Sequence, residues 1–327
     1  MNNPYPLVDT FTVQHDILLL PKDTLAAMLD AKNLFISNYD LKLNKYVISK
    51  QVGSNGYEFA LYRYDKKKKE ITHWIAPTWD EKAITAFTKR KIKDTDNIQL
   101  TCTIANKALS HKGRASVYEN NILLDKWYGF PYFSGKGMKG VIRNHIINEC
   151  FGGYEDEAIK NPLFKYVFGY AEGKIALRGA VRFKGGYPTT PPILEPYITN
   201  NHFKDYYKEH KPLPPADWQA PNPIFFIIIR GQRDKKYSTF KFLAQCPNIT
   251  LEELVILHTP KDKEENDEDY NKRIEAIIIA CMPMEYAAKL NNVSKLKDWL
   301  EAWIRKTFEE RGVGARRNVD YGRMKIE

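Results

Sequence analysis

The sequence predicts an α+β fold in which a ferredoxin-like core with insertions follows an N-terminal accessory region. Three observations lead there. Ile98–Ile104 alternates apolar and polar residues, as a half-buried strand does. Met138–Cys150 sets Met138, Val141, Ile142, His145 and Ile146 on one helix face. Ser294–Arg311 does the same with Leu296, Leu300, Trp303 and Ile304, with Ser294 as N-cap and Gly312 placed for a left-handed stop. With the intervening strands, the order is βαββαβ, a split βαβ arrangement.

Element by element, residues 1–96 form the accessory region. Thr24–Met28 and Leu34–Ile48 carry apolar residues at mixed helical spacings, Tyr57–Tyr64 alternates as a strand, and Lys66–Lys69 reads as an exposed turn. The core domain spans 97–327, with insertions at 187–223 and 247–272. After the strand at Ile98 comes a basic turn, Ser110–Arg114, and then the Met138 helix. Lys174–Phe183 alternates through Ile175, Leu177 and Val181, with a bulge expected at Gly179–Ala180. Pro188–Pro223, rich in proline and aromatics, reads as an extended, irregular insertion. Ile224–Arg230 and Ser238–Cys246 are expected to form a hairpin around Gly231–Asp234. Leu251–Asp269, with eight acids and two bases, reads as a solvated loop. Ile274–Cys281 fits helix and strand equally. Tyr321–Ile326 closes the chain as a short strand.

Charge points to a polyanion. The 327 residues hold 50 Lys+Arg against 40 Asp+Glu, a formal net charge of +10. A basic surplus favours nucleic acid, because neutralising phosphates releases condensed counterions. The surplus is concentrated: Tyr62–Lys93 has ten bases and four acids, and Lys107–His145 has seven and two. Cys102, Cys150, Cys246 and Cys281 form no CxxC pair and sit among apolar residues, the pattern of reduced cytosolic cysteines rather than of a zinc site. No basic-then-apolar leader opens the chain, and Ile224–Ile229 is far too short to span a bilayer. A cytoplasmic protein without membrane partners, cofactor or metal is expected.

Two segments carry the chemistry. In Gly129–Arg143 a strand ends at an aromatic pair, a Ser/Gly turn follows, and a helix opens with Lys136, Lys139 and Arg143. Free N–H groups and the helix dipole at such a start attract phosphate, glycines admit it to the backbone, and the lysines add charge. The GxxxxGK[ST] pattern of a Walker loop is not met. A tight turn with solvent-facing lysines is the plainer alternative. In Arg311–Met324 a helix gives way to a glycine-rich loop with adjacent Arg316 and Arg317, whose forks suit phosphate. It leads to Tyr321-Gly322-Arg323, where the tyrosine is placed to stack on a base. The plainer alternative here is a basic turn on a core strand. The candidate RNA-binding residues are Lys112, Arg114, Ser134, Lys136, Lys139, Arg143, Gly312, Gly314, Arg316, Arg317, Tyr321 and Arg323.

Together these segments resemble the RAMP superfamily of CRISPR proteins. The family's Pro-Gly-Ser-Ser-Leu-Lys-Gly-x-x-Arg helix start is matched over Pro131–Arg143, with Ser134, Lys139, Gly140 and Arg143 in place. Its Gly-x-Gly-Ala-Lys-Thr-x-x-Gly-Tyr-Gly-Arg loop is matched by Gly312, Gly314, Ala315, Tyr321, Gly322 and Arg323. Arg316-Arg317 stands where the family has Lys-Thr, and Asp320 replaces a glycine. Asn201-His202, Tyr206-Tyr207, Pro215–Trp218 and Pro221–Ile224 resemble one branch, the sixth subunit of type III-B (Cmr) effector complexes. The resemblance implies an RRM-like fold, no target-cleaving aspartate, and a place capping the backbone near the 3′ part of the guide RNA. The implied partners are guide and target RNA, neighbouring RAMP subunits and the small helical subunit, with the 188–223 insertion suited to subunit contacts.

Some relatives are metal-independent endoribonucleases that process guide precursors, and His111, Lys112 and Tyr128 are the candidates for that chemistry. His111 has no evident partner residue in the sequence, so no catalytic residue is assigned. His145 reads as packed on its helix, His202 as structural, and Asp94 with Asp96 as a polar turn.

Overall fold

A computed structural model describes residues 8–13, 16–21, 38–45, 48–52, 56–58, 62–65, 70–111, 122–172, 175–199, 224–283 and 294–327. Thr24–Met28, Lys66–Lys69, Lys112, Arg114 and Asn201–Pro223 lie outside them. The described residues mix helices with antiparallel sheet, as an α+β fold does. The chain divides into two compact units.

One unit comprises residues 1–80, 112–131 and 193–229. Strands Val8–Val13, Asp16–Pro21, Ile48–Val52 and Gly56–Glu58 form an antiparallel meander, and Tyr62–Asp65 pairs with Glu70–Trp74. Asn38 caps the short helix Tyr39–Asn44 by accepting from Leu41 N. The buried Tyr39 hydroxyl donates to the Ile75 carbonyl at 2.7 Å, so its polar tip is satisfied as burial requires. Within the expected irregular insertion, Ile193–Thr199 is a strand beside Ile224–Arg230.

The other unit comprises residues 81–111, 132–192 and 230–327. Its main elements include α1 (Glu81–Lys91), β1 (Ile98–Ile104), β2 (Phe133–Ser134), α2 (Gly135–Cys150), β3 (Arg182–Pro188), β4 (Thr239–Gln245), α3 (Leu251–His258), α4 (Asp267–Ile279), α5 (Leu296–Glu310) and β5 (Met324–Ile326). The sheet order is β5-β1-β4-β3-β2, antiparallel throughout. Its four long-range strands thus run fourth, first, third, second in chain order. Helix α2 carries the chain from the first to the second, and α5 precedes the fourth. The apolar faces read from the sequence line this core. Phe242 meets Phe308 of α5 edge-on at 4.6 Å, and Phe133 meets Phe240 at 5.1 Å; each buried ring contributes roughly 1.5–3 kcal/mol by leaving water. The indole N–H groups of Trp299 and Trp303 both donate to the Cys281 carbonyl, at 2.8 and 3.1 Å.

Five local expectations are corrected. The second core strand begins at Arg182, because Ile175–Arg178 pairs instead with Gly169–Glu172. Its bulge falls between Phe183 and Gly185, not at Gly179–Ala180. Gly179 is needed for another reason: a Cβ there would strike the Val167 carbonyl. Ile224–Arg230 and β4 do not share a sheet, and the turn between them holds only the small ladder of Gln232–Arg233 with Lys236–Tyr237. The acidic stretch is a largely exposed loop only over 259–266, and is helical on either side. Thr250 and Glu253 form a capping box on α3, and Asp267, Glu268 and Asp269 fill the first turn of α4, where acids complement the helix dipole. Finally, Lys295 rather than Ser294 stands at the N-cap of α5, and Ser294 gives its carbonyl to Leu251 N at 2.8 Å. The ambiguous Ile274–Cys281 is helical through Ile279.

Candidate nucleic-acid interface

Ser134 ends β2 and caps α2, its hydroxyl oxygen accepting from Gly137 N at 3.1 Å. The turn is locked onto β3, since a Cβ on Gly135 would strike the Phe183 carbonyl and one on Gly185 (φ +103°) the Phe133 carbonyl. Gly135 therefore serves backbone-to-backbone packing, and the open glycines are further along. Gly137 and Gly140 are exposed, and a Cβ at Gly140 would meet open space. Lys136 is exposed beside them.

The other two bases of this helix have protein partners. Lys139 Nζ donates to the Phe168 carbonyl at 2.6 Å. Burial, helped by the nearby Arg143, lowers its pKa from the ordinary lysine value. Arg143 Nη2 pairs with Glu155 Oε1 at 2.6 Å, and its guanidinium lies 5.3 Å from the Phe164 ring centroid.

The second segment is a closed loop. Gly312 N bonds to the Thr307 carbonyl at 2.9 Å to end α5, and Val313 N bonds to the Gly322 carbonyl at 2.9 Å. Ala315 N reaches the Leu109 carbonyl at 2.7 Å and Gly322 N the Lys107 carbonyl at 2.9 Å. Gly312, Gly314 and Gly322 have φ of +67°, +103° and +80°, a region that favours glycine. Arg316 (φ +56°) and Asp320 (φ +62°) flank a single 3-10 turn, Arg317–Val319. A left-handed arginine costs about 1 kcal/mol or more, so the loop holds it there against its preference. Burial, with Arg311 nearby, lowers the Arg317 pKa. Arg323 is half exposed and pairs with Asp320 at 2.9 Å.

Tyr321 departs from the stacking role expected of it. Its ring is 3% exposed and Lys107 Nζ lies 4.7 Å from the centroid, so it supports the loop from beneath. Lys107 is a basic residue at this loop that the motif itself does not contain. Lys107 is more than 200 residues away along the chain, and only the fold reveals it.

The two segments meet. A Cβ on Gly314 would lie 3.3 Å from Cε1 of Phe133, the residue that precedes the Ser134 cap. The arginine loop and the start of α2 thus share the Phe133 end of the sheet. Lys112 and Arg114 lie outside the described residues, while His111 is exposed. Tyr128 is half-buried, its ring stacked on Phe130 at 6.3 Å. His145 is buried, as its helix position implies. Asp96 is more than a polar turn: it is buried, accepts from Lys93 N at 2.8 Å and pairs with Lys184. The four cysteines are free. No described helix is long and apolar enough to cross a membrane.

Comparisons with known proteins find similar sequences and structures. The CRISPR system Cmr subunit Cmr6 of Pyrococcus furiosus is 29% identical over an alignment covering 36% of this chain, which spans about half (49%) of that relative's length. Among solved structures, a cryo-EM structure of the type III-B Cmr-beta complex bound to cognate target RNA gives a TM-score of 0.37 at 19% identity, over 70% of this chain and 58% of that one. The crystal structure of Cmr6 from Pyrococcus furiosus gives 0.33 at 19% identity, over 70% of this chain and 97% of that one. The RAMP superfamily model matches residues 106–325, which include both the α2 start and the glycine loop, and the chain belongs to that superfamily.

Proposed function

We propose that this chain is a non-catalytic RNA-binding subunit of a type III-B CRISPR RNA-guided effector complex, capping the backbone near the 3′ region of the guide RNA. The observation that carries the reading is the meeting of the two basic, glycine-rich segments at Phe133. Lys136, Arg316, Arg317 and Arg323 supply charge to the phosphates of guide or target RNA. Ser134, Gly312 and Gly314 fix the backbone that presents them, and Lys139 and Arg143 contribute by exchanging their protein partners for phosphate. Lys112 and Arg114, which follow β1 in sequence, add to that charge. Contacts of this kind read the ribose-phosphate strand and leave sequence to base pairing. The sequence similarity to a Cmr6 subunit supports neighbouring RAMP subunits and the small helical subunit as partners.

The test is co-expression with the other subunits of such a complex and with guide RNA. The chain should co-purify with both, and Arg316→Ala with Arg317→Ala should weaken RNA retention while leaving protein assembly intact. Unchanged RNA affinity in that variant would remove the site. Cleavage of repeat RNA by the chain alone, abolished by His111→Ala, would replace this reading with guide processing.

A further inference from the structure

Helices α2 and α5 end side by side, and their last turns bring together three groups that the RNA reading does not use. His145 and Glu149 stand one turn apart on α2, and Glu310 is the final residue of α5. His145 Nε2 lies 3.2 Å from Glu149 Oε2 and 3.4 Å from Glu310 Oε2. The imidazole is 1% exposed, yet Nε2 has no hydrogen-bond partner, because neither oxygen lies in hydrogen-bonding geometry. A buried polar atom left in that state costs roughly 1–3 kcal/mol.

The surroundings hold these three atoms in place. Thr307 Oγ1, fully buried, lies 2.9 Å from His145 Nδ1. In the tautomer that donates its Nδ1 proton to Thr307 Oγ1, the Nε2 lone pair faces the two carboxylates. Lys306 Nζ takes the opposite oxygens, Glu310 Oε1 at 2.8 Å and Glu149 Oε1 at 3.5 Å. Each carboxylate is thus held by Oε1 and presents Oε2 inward. Orientation of ligands by outer partners of this kind is characteristic of metal sites. In that tautomer the lone pair and the two carboxylate oxygens repel one another, and a cation held by all three removes the repulsion. Both helices also direct their negative dipole ends at this point.

We propose that His145, Glu149 and Glu310 bind a divalent first-row metal ion of the zinc type, joining the C-terminal turns of α2 and α5. Ligand atoms about 2.0–2.2 Å from such an ion stand roughly 3.0–3.5 Å apart at tetrahedral or octahedral angles, the range of the two nitrogen–oxygen separations. The three candidate ligand atoms all lie within 4.8 Å of one another. One nitrogen with two carboxylate oxygens suits Zn2+ or its neighbours, and the half-exposed Glu310 leaves one side open for water. The ion's role is structural: α2 leads back to the Ser134 cap and α5 runs forward into the arginine loop.

The experiment is calorimetric titration of Zn2+ into the untagged, chelator-treated full chain, repeated with Co2+ to read its absorption. Wild type should bind one ion and melt at a higher temperature with it. Glu310→Gln, at a position open enough to fold normally, and Glu149→Gln should each weaken binding about tenfold or more and abolish the melting shift. The Co2+ complex should lack the near-ultraviolet band of thiolate ligation. Three results would each overturn the site: no ion bound by wild type, equal binding by the Glu149→Gln, Glu310→Gln double variant, or a thiolate band reporting the cysteines. An equal loss of melting temperature in Glu310→Gln with and without Zn2+ would also overturn it, leaving a protonated histidine bridging two carboxylates.

Discussion

The start of α2 and the loop after α5 are both glycine-rich and basic, yet they use those residues in opposite ways. At the helix start only Gly135 is demanded by packing, and Gly140 is free on all sides. Two of its three bases, Lys139 and Arg143, are held by the Phe168 carbonyl and by Glu155. In the loop, Gly312, Gly314 and Gly322 are all fixed by positive φ and by backbone close against the would-be Cβ. The same motif residue can therefore hold the scaffold in one place and open a surface in another, and only its three-dimensional neighbours distinguish the two.

The largest expected effect follows from that contrast. Gly322→Ala combines a left-handed φ with a clash against the Val313 carbonyl, and should cost about 3 kcal/mol or more in chemical denaturation. Gly135→Ala should behave alike. A neutral result at either position would break the comparison. Next, Arg316→Ala with Arg317→Ala should reduce RNA affinity of the assembled complex roughly tenfold or more and lower the slope of log affinity against log salt by about one to two. Lys139→Ala and Arg143→Ala should weaken RNA binding less, since each base must first leave a protein partner. Salt titrations of the three variants would rank them. Ser134→Ala removes the cap and should cost about 1 kcal/mol. Smallest and opposite in sign, Gly140→Ala should stabilise the chain by about 0.5–1 kcal/mol, as alanine replaces glycine in an exposed helix interior.

The sequence made β1, α2 and α5 legible because each buries one continuous apolar face, and a period of 2 or 3.6 survives in a linear reading. It misled where tertiary pairing overrides local pattern. Ile175–Arg178 alternates like a core strand but pairs with Gly169–Glu172. Leu251–Asp269 looks like one solvated loop by charge, although only 259–266 is a loop and five of the eight acids sit at two helix starts. The site was legible as two motifs. Their meeting at Phe133, the burial of Tyr321 and the presence of Lys107 beneath the loop were not, because each depends on residues far apart in the chain. The same holds for His145, Glu149 and Glu310. The first reads as a packed helix residue, and Glu310 lies 161 positions beyond Glu149.

The account rests on the start of α2 and the arginine loop forming a single surface on one strand of RNA. A photo-crosslinking residue placed at Lys136 in one preparation and at Arg317 in another, each in the complex assembled with guide RNA, addresses that directly. Both positions should crosslink to the same RNA within a few nucleotides of each other. Crosslinks from both positions to protein alone, or to distant stretches of RNA, would contradict it.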